Sequence, residues 1–152
     1  MLLAWAALWL PSEVRGEPLR PSWGLHRFME RHCFGARMYR ASPSPRTLWC
    51  VRWRHLWHRL AGAEPAGCAA ITVRADHYWL HNMCVHSGGR SRGHGLQLHR
   101  QRLAVCREHR QHRTARLSIK EGNAAALALL RKLPQYRPLR RVGGRVVFEC
   151  TW

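Results

Sequence analysis

This 152-residue chain is almost without lysine and aspartate, with only Lys120, Lys132 and Asp76. A single aspartate leaves little for paired-carboxylate acid–base chemistry. There is no Walker-type loop or H-E-x-x-H helix, which removes the common P-loop and zincin classes. Isoleucine is scarce as well, and Leu, Ile, Val and Phe together number 32. That lies near the composition, about 20%, below which a highly charged chain cannot build a core. Long apolar runs are missing too. Leu2–Leu10 is too short for a bilayer, which needs about 20 residues.

Arginine is what the chain has instead. The formal charge is +18, from 26 basic and 8 acidic residues. Eight tryptophans add apolar surface on the order of 200 Å² each. The fold class expected from this balance is a small, loosely packed α+β domain with a partly disordered N-terminal third.

Three segments follow from the composition. Residues 1–16 resemble a signal peptide, with Leu2–Leu10 as its apolar stretch, so the chain is expected to be secreted. Without that signal it would be nuclear or cytoplasmic. Residues 17–46 are rich in Pro and Arg and read as extended chain. Residues 47–152 form a single small basic domain. Within it, helices are expected near 47–61, 96–113 and 123–133. The first rests on a stripe of Trp49, Trp53, Leu56, Trp57 and Leu60, and the last on an Asn123 cap and a Pro134 stop. Residues 69–74 read as a short strand, and a C-terminal β-hairpin is expected at 139–151 around Gly143-Gly144.

Chemistry concentrates between Arg74 and Arg116, which holds nine arginines, seven histidines and two cysteines. Arginine donates a planar fork to phosphate or sulfate. Arg90, Arg92, Arg100, Arg102, Arg107, Arg110, Arg113 and Arg116 are therefore expected to form a polyanion site. The function expected is a non-enzymatic binding protein, its partner a nucleic acid, a heparin-like sulfated glycan or an anionic membrane surface. His77, His81, Cys84 and His86 are candidate zinc ligands, and Cys106, His109 and His112 form a second such set. The cofactor is thus none or zinc. Six cysteines, Cys33, Cys50, Cys68, Cys84, Cys106 and Cys150, are disulfide candidates behind a signal peptide.

Two alternatives stand beside this reading. The stretch ITVRADH, followed by CREHRQHRTAR, resembles the HNH nuclease motif. That resemblance implies metal-dependent phosphodiester hydrolysis, with His77 as general base and Asp76 with His109 or His112 holding the metal. The other alternative is an overlapping or recently arisen reading frame with no evolved activity, since GC-rich coding also yields Arg, Trp, His and Cys with little Lys or Asp.

Overall fold

The computed structural model of the chain describes residues 27–34, 47–52 and 64–152. The expected signal peptide lies outside the described residues, as does most of the Pro/Arg-rich segment. The first element is a helical turn at 27–29 that continues as a π-helix, Glu30–Phe34. Six strands follow: β1 (Thr47–Arg52), β2 (Gly67–Val73), β3 (Tyr78–Val85), β4 (Thr114–Lys120), β5 (Tyr136–Val142) and β6 (Arg145–Thr151). Helix α1 (His94–His109) joins β3 to β4, and α2 (Ala124–Arg131) joins β4 to β5. The strands form one sheet in the order β1-β2-β3-β4-β6-β5, in which only the β3–β4 pair is parallel. A parallel pair needs a crossover, and α1 supplies it.

Every residue of β2, GCAAITV, is buried. A strand buried on both sides requires cover on both sheet faces. On one face Cys50, Ile71, Leu80, Leu117, Ile119 and Cys150 pack with Leu98, Leu103 and Cys106 of α1 and Leu130 of α2. On the other, Phe28 and Met29 cover Cys68, Ala70 and Cys84. The small residues of β2 bring the layers close. A Cβ on Gly67 would lie 2.6 Å from Leu98 Cδ1 and 2.7 Å from the Cys84 carbonyl oxygen, so a larger residue would force α1 and β3 away.

This architecture corrects the expectation of a loosely packed α+β domain, because one mixed sheet is covered by helices on both faces. The expected helix at 47–61 begins instead as β1, whose six residues all pair with β2; residues 53–61 lie outside the described residues. Ladder pairing along a buried strand outweighs a helical stripe of tryptophans. The helix expected over 96–113 is α1, which ends at Arg110 in a left-handed conformation, φ +56°. The chain then turns into β4, where buried Ala115, Leu117 and Ile119 alternate with partly exposed residues. Helix α2 starts where Asn123 Oδ1 accepts from Ala126 N at 3.1 Å. Strands β5 and β6 join through Gly143-Gly144, both at positive φ. They are not a free hairpin, since β6 also pairs with all of β4.

Candidate functional site

The sheet splits at its parallel pair. Tyr78, Trp79 and Leu80 of β3 face Ala115, Arg116 and Leu117 of β4, and the pairing stops there. Beyond Leu80, β3 stays with β2 as far as Val85 opposite Gly67. Beyond Leu117, β4 stays with β6 as far as Lys120 opposite Arg145. Each strand keeps its outer neighbour, so a gap opens from His81 and Ser118 onward. The local cause on β3 is Asn82, which holds φ +48° where the register with β2 slips. Crevices at the carboxyl ends of parallel strands are where open α/β sheets bind ligands.

The loop after β3 delivers an anion-binding element to this end of the sheet. It runs Arg90-Ser91-Arg92-Gly93-His94-Gly95 into the first turn of α1. Gly93 is the N-cap, at φ +82°, with no side chain to cap the first-turn amides, and a Cβ there would meet nothing within 4 Å. The first helical bond runs from Gln97 N to Gly93 O. Uncapped first-turn amides carry the positive end of the helix dipole, which favours phosphate. Arg90 and Arg92 beside them are exposed, and Arg90 also donates to the His32 carbonyl. On the β4 side, Lys120, Gly122, Asn123, Gly143, Gly144 and Arg145 line an open cavity of about 600 Å³.

Polar side chains brace the split from within. On one face Thr47 Oγ1, Thr72 Oγ1 and His81 Nε2 form a chain with steps of 3.0 and 2.8 Å. Burial, and then the charge of Arg102, depress the pKa of His81 to about 4, so its ring is neutral at pH 7. On the α1 face Arg102, 3% exposed, donates to the His81 carbonyl at 3.3 Å, to Met83 Sδ at 3.7 Å and to His99 Nδ1 at 2.7 Å. With Nδ1 of His99 accepting, Nε2 carries the proton and donates to Tyr136 Oη at 2.9 Å. The four unpaired cysteines are poor nucleophiles. Burial raises Cys50 to about 11 and Cys68 and Cys106 to about 12, and raises Cys150 as well.

The expected sites are dispersed. Arg90 and Arg92 precede α1 while Arg110 and Arg113 follow it, about 24 Å away along sixteen residues. Arg100 is exposed, Arg102 is buried, and Arg107 lies over Trp152. Arg116 is spent on Asp76 and Glu149, at 3.3 and 2.8 Å. No single cationic face results.

The HNH-like set fares no better. Asp76 binds His77 at 2.6 Å with Arg116 alongside, His109 bonds to Tyr78 Oη, and His112 to the Arg74 carbonyl. A guanidinium stands beside the carboxylate that a cation would need.

As zinc ligands, His77 lies in the bend before β3 and His81 within that strand, so no helical turn brings them onto one face. Cys84 is bonded to Cys33 in the only disulfide among the described residues; Cys50, Cys68, Cys106 and Cys150 stay reduced inside the core. His86 meets His32 and Glu64, with ligand atoms within 4.8 Å of one another. Gly88 N–H donates to His86 Nδ1, which leaves the neutral ring's proton on Nε2 facing Glu64. Arg31 holds the other oxygen of Glu64 at 2.7 Å. These contacts make the cluster a carboxylate already supplied with donors.

Sequence reasoning missed the loop and the split. Glycines at 93 and 95, opening a helix directly after a strand, were a readable anion-site signal. The split itself had none, because strand separation depends on which neighbours each strand keeps.

A family model described as the GNAT family of acetyltransferases matches residues 23–133. No curated protein sequence matches the chain. Among solved structures the chain resembles Escherichia coli ElaA, with TM-score 0.61 and 12% identity over 86% of this chain and 93% of that one. It also resembles the E. coli ribosomal-protein-S18-alanine N-acetyltransferase, with TM-score 0.61 and 18% identity over 84% and 85%. The PaiA N-acetyltransferase of Thermoplasma acidophilum, solved with coenzyme A, matches with TM-score 0.54 and 12% identity. That match covers 60% of this chain and only 56% of PaiA. These findings overturn the expectations of a non-enzymatic polyanion binder, an HNH-like nuclease and an unevolved reading frame. The expected nucleic-acid, glycan or membrane partner is overturned with them.

Proposed function

The chain belongs to the GNAT family of acetyltransferases, and on that premise we propose that it transfers an acetyl group from acetyl-CoA to an amine. The observation that carries this reading is the split between β3 and β4 lying next to the glycine-capped start of α1. The residues present fit the donor. Gly93 leaves the first-turn amides without a side-chain cap, and Arg90 and Arg92 supply cations for a pyrophosphate. The strand edges that part after Leu80 and Leu117 offer backbone groups to an extended amide-bearing arm, as an added strand would use them. Bound there, acetyl-CoA would supply a thioester carbonyl; the acceptor nitrogen would form the new C–N bond, the C–S bond would break with its electron pair on sulfur, and the proton lost by the amine would end on that sulfur, so that CoA leaves as the thiol.

The chain's own part is to bind and orient. Thiols raised to about 11 and 12 disfavour an acyl-cysteine, so transfer runs directly to the acceptor. His81, at the split, is neutral at pH 7 and carries a single ring proton, so it adds no positive charge beside the acceptor amine. An amine is the acceptor class because PaiA and the S18-alanine enzyme are both N-acetyltransferases.

The test is calorimetric titration with CoA and acetyl-CoA, followed by thiol-release assays across a panel of amines. Saturable binding that weakens as phosphate is added is expected. No binding of either nucleotide at millimolar concentration would remove the reading.

A further inference from the structure

Arg102 presents an energetic problem. It is 3% exposed, in the middle of α1, and no carboxylate among the described residues reaches it. Its Nε has no hydrogen-bond partner. An ion desolvated in this way is costly, and an apolar side chain of similar volume would avoid the penalty. Its contacts have a pattern, however. One arm of the guanidinium donates to the His81 carbonyl and the other to Met83 Sδ, the residues on either side of Asn82. Asn82 is the left-handed residue at which β3 slips against β2, two positions past the last β3–β4 pair at Leu80.

We propose that Arg102 is a positioning residue that fixes the split between β3 and β4 by gripping β3 on both sides of Asn82. The planar fork suits the task, because one arm holds the His81 backbone carbonyl while the other holds the Met83 thioether, whereas an ammonium reaches one at a time. The grip is anchored behind. His99 Nδ1 accepts from Arg102, and His99 Nε2 donates to Tyr136 Oη at the start of β5. One buried polar chain therefore runs from the split, through α1, to the strand that follows α2. Burial depresses His99 to a pKa of about 3, so its ring stays an acceptor for Arg102 throughout the neutral range. Straining Asn82 back toward a regular strand would let β3 approach β4 and close the gap. The inference rests on the acetyl-CoA reading for its consequence, though not for its geometry.

The experiment compares the full chain with Arg102→Met and Arg102→Lys. Amide hydrogen exchange is read residue by residue and CoA affinity by calorimetry. For Arg102→Met, exchange at residues 82–85 should quicken at least tenfold while Leu117 and Phe148, in β4 and β6, change less than twofold. CoA binding should weaken at least tenfold. Arg102→Lys should keep the fold and show the same local loss, because charge without the fork does not restore the grip. A uniform acceleration across β3, β4 and β6 would mean a general stability role and overturn the proposal, as would unchanged exchange at residues 82–85. Failure of both variants to fold would overturn it too, placing Arg102 in the scaffold. If the unmodified chain does not bind CoA, the acetyl-transfer reading fails by itself, and the exchange comparison still decides whether Arg102 holds the split.

Discussion

Gly93 offers the sharpest test of how the helix start works, because the two costs of replacing it separate cleanly. A Cβ at this position would meet nothing within 4 Å, so Gly93→Ala creates no clash. What remains is the backbone: φ +82° costs an L-residue about 1–2 kcal/mol. If the loop keeps its shape, the whole strain falls on folding and the melting temperature drops by roughly 2–8 °C for a chain of this size. If the loop relaxes, stability is recovered, but the amides leave their positions and the strain reappears as weaker CoA binding, about 5- to 30-fold. The two losses, measured by thermal unfolding and calorimetric titration, should therefore sum to about 1–2 kcal/mol. Gly93→Asn is the control, since asparagine tolerates left-handed backbone and caps helices. It should lose little stability, but its side chain would occupy the first-turn amides and compete with the ligand. Wild-type stability and affinity in Gly93→Ala would refute the argument that a left-handed N-cap organises this site.

Other expectations follow from contacts described above. Gly67→Ala pushes a Cβ to 2.6 Å from Leu98 Cδ1 and 2.7 Å from a backbone oxygen, and should destabilise by about 1–3 kcal/mol in denaturant unfolding. Hydrogen bonding from Arg116, and then from Arg137, holds the Glu149 carboxyl below its usual range. Its folded pKa is thus the lower one, so its contribution is complete above about pH 4.5 and is lost as pH falls through the folded value. Glu149→Gln should flatten the acid limb of a stability–pH curve; an unchanged limb would count against that pairing. His81 and His99 have folded values of about 4 and about 3, below the ordinary 6.5. The unfolded chain therefore binds protons first, and stability falls as pH drops from about 6.5 toward 4. Both rings should stay neutral at pH 5.5 by NMR, and a ring titrating near 6.5 would show that it is not buried as described.

The amino-acid sequence by itself determined the elements whose signals are local. Asn123 caps α2 because its side chain reaches an amide three residues on. Gly143-Gly144 turns β5 into β6 because both positions need positive φ. Most of α1 was readable because Leu96, Leu103 and Cys106 fall near one helical face. Tertiary structure decided the rest. Thr47–Arg52 carries a helical stripe with its following residues, yet becomes a strand because β2 offers six paired positions. Arg100 and Arg102 look alike in sequence; one is exposed and the other 3% exposed, since two residues turn a helix by about 200° and only the second faces the sheet. His86 was grouped with His77 and His81 by proximity in sequence, but the sheet gave it His32 and Glu64 from distant segments. The split that makes the site exists only because β3 and β4 hold different outer neighbours, a property of six strands together that no single stretch of the chain encodes.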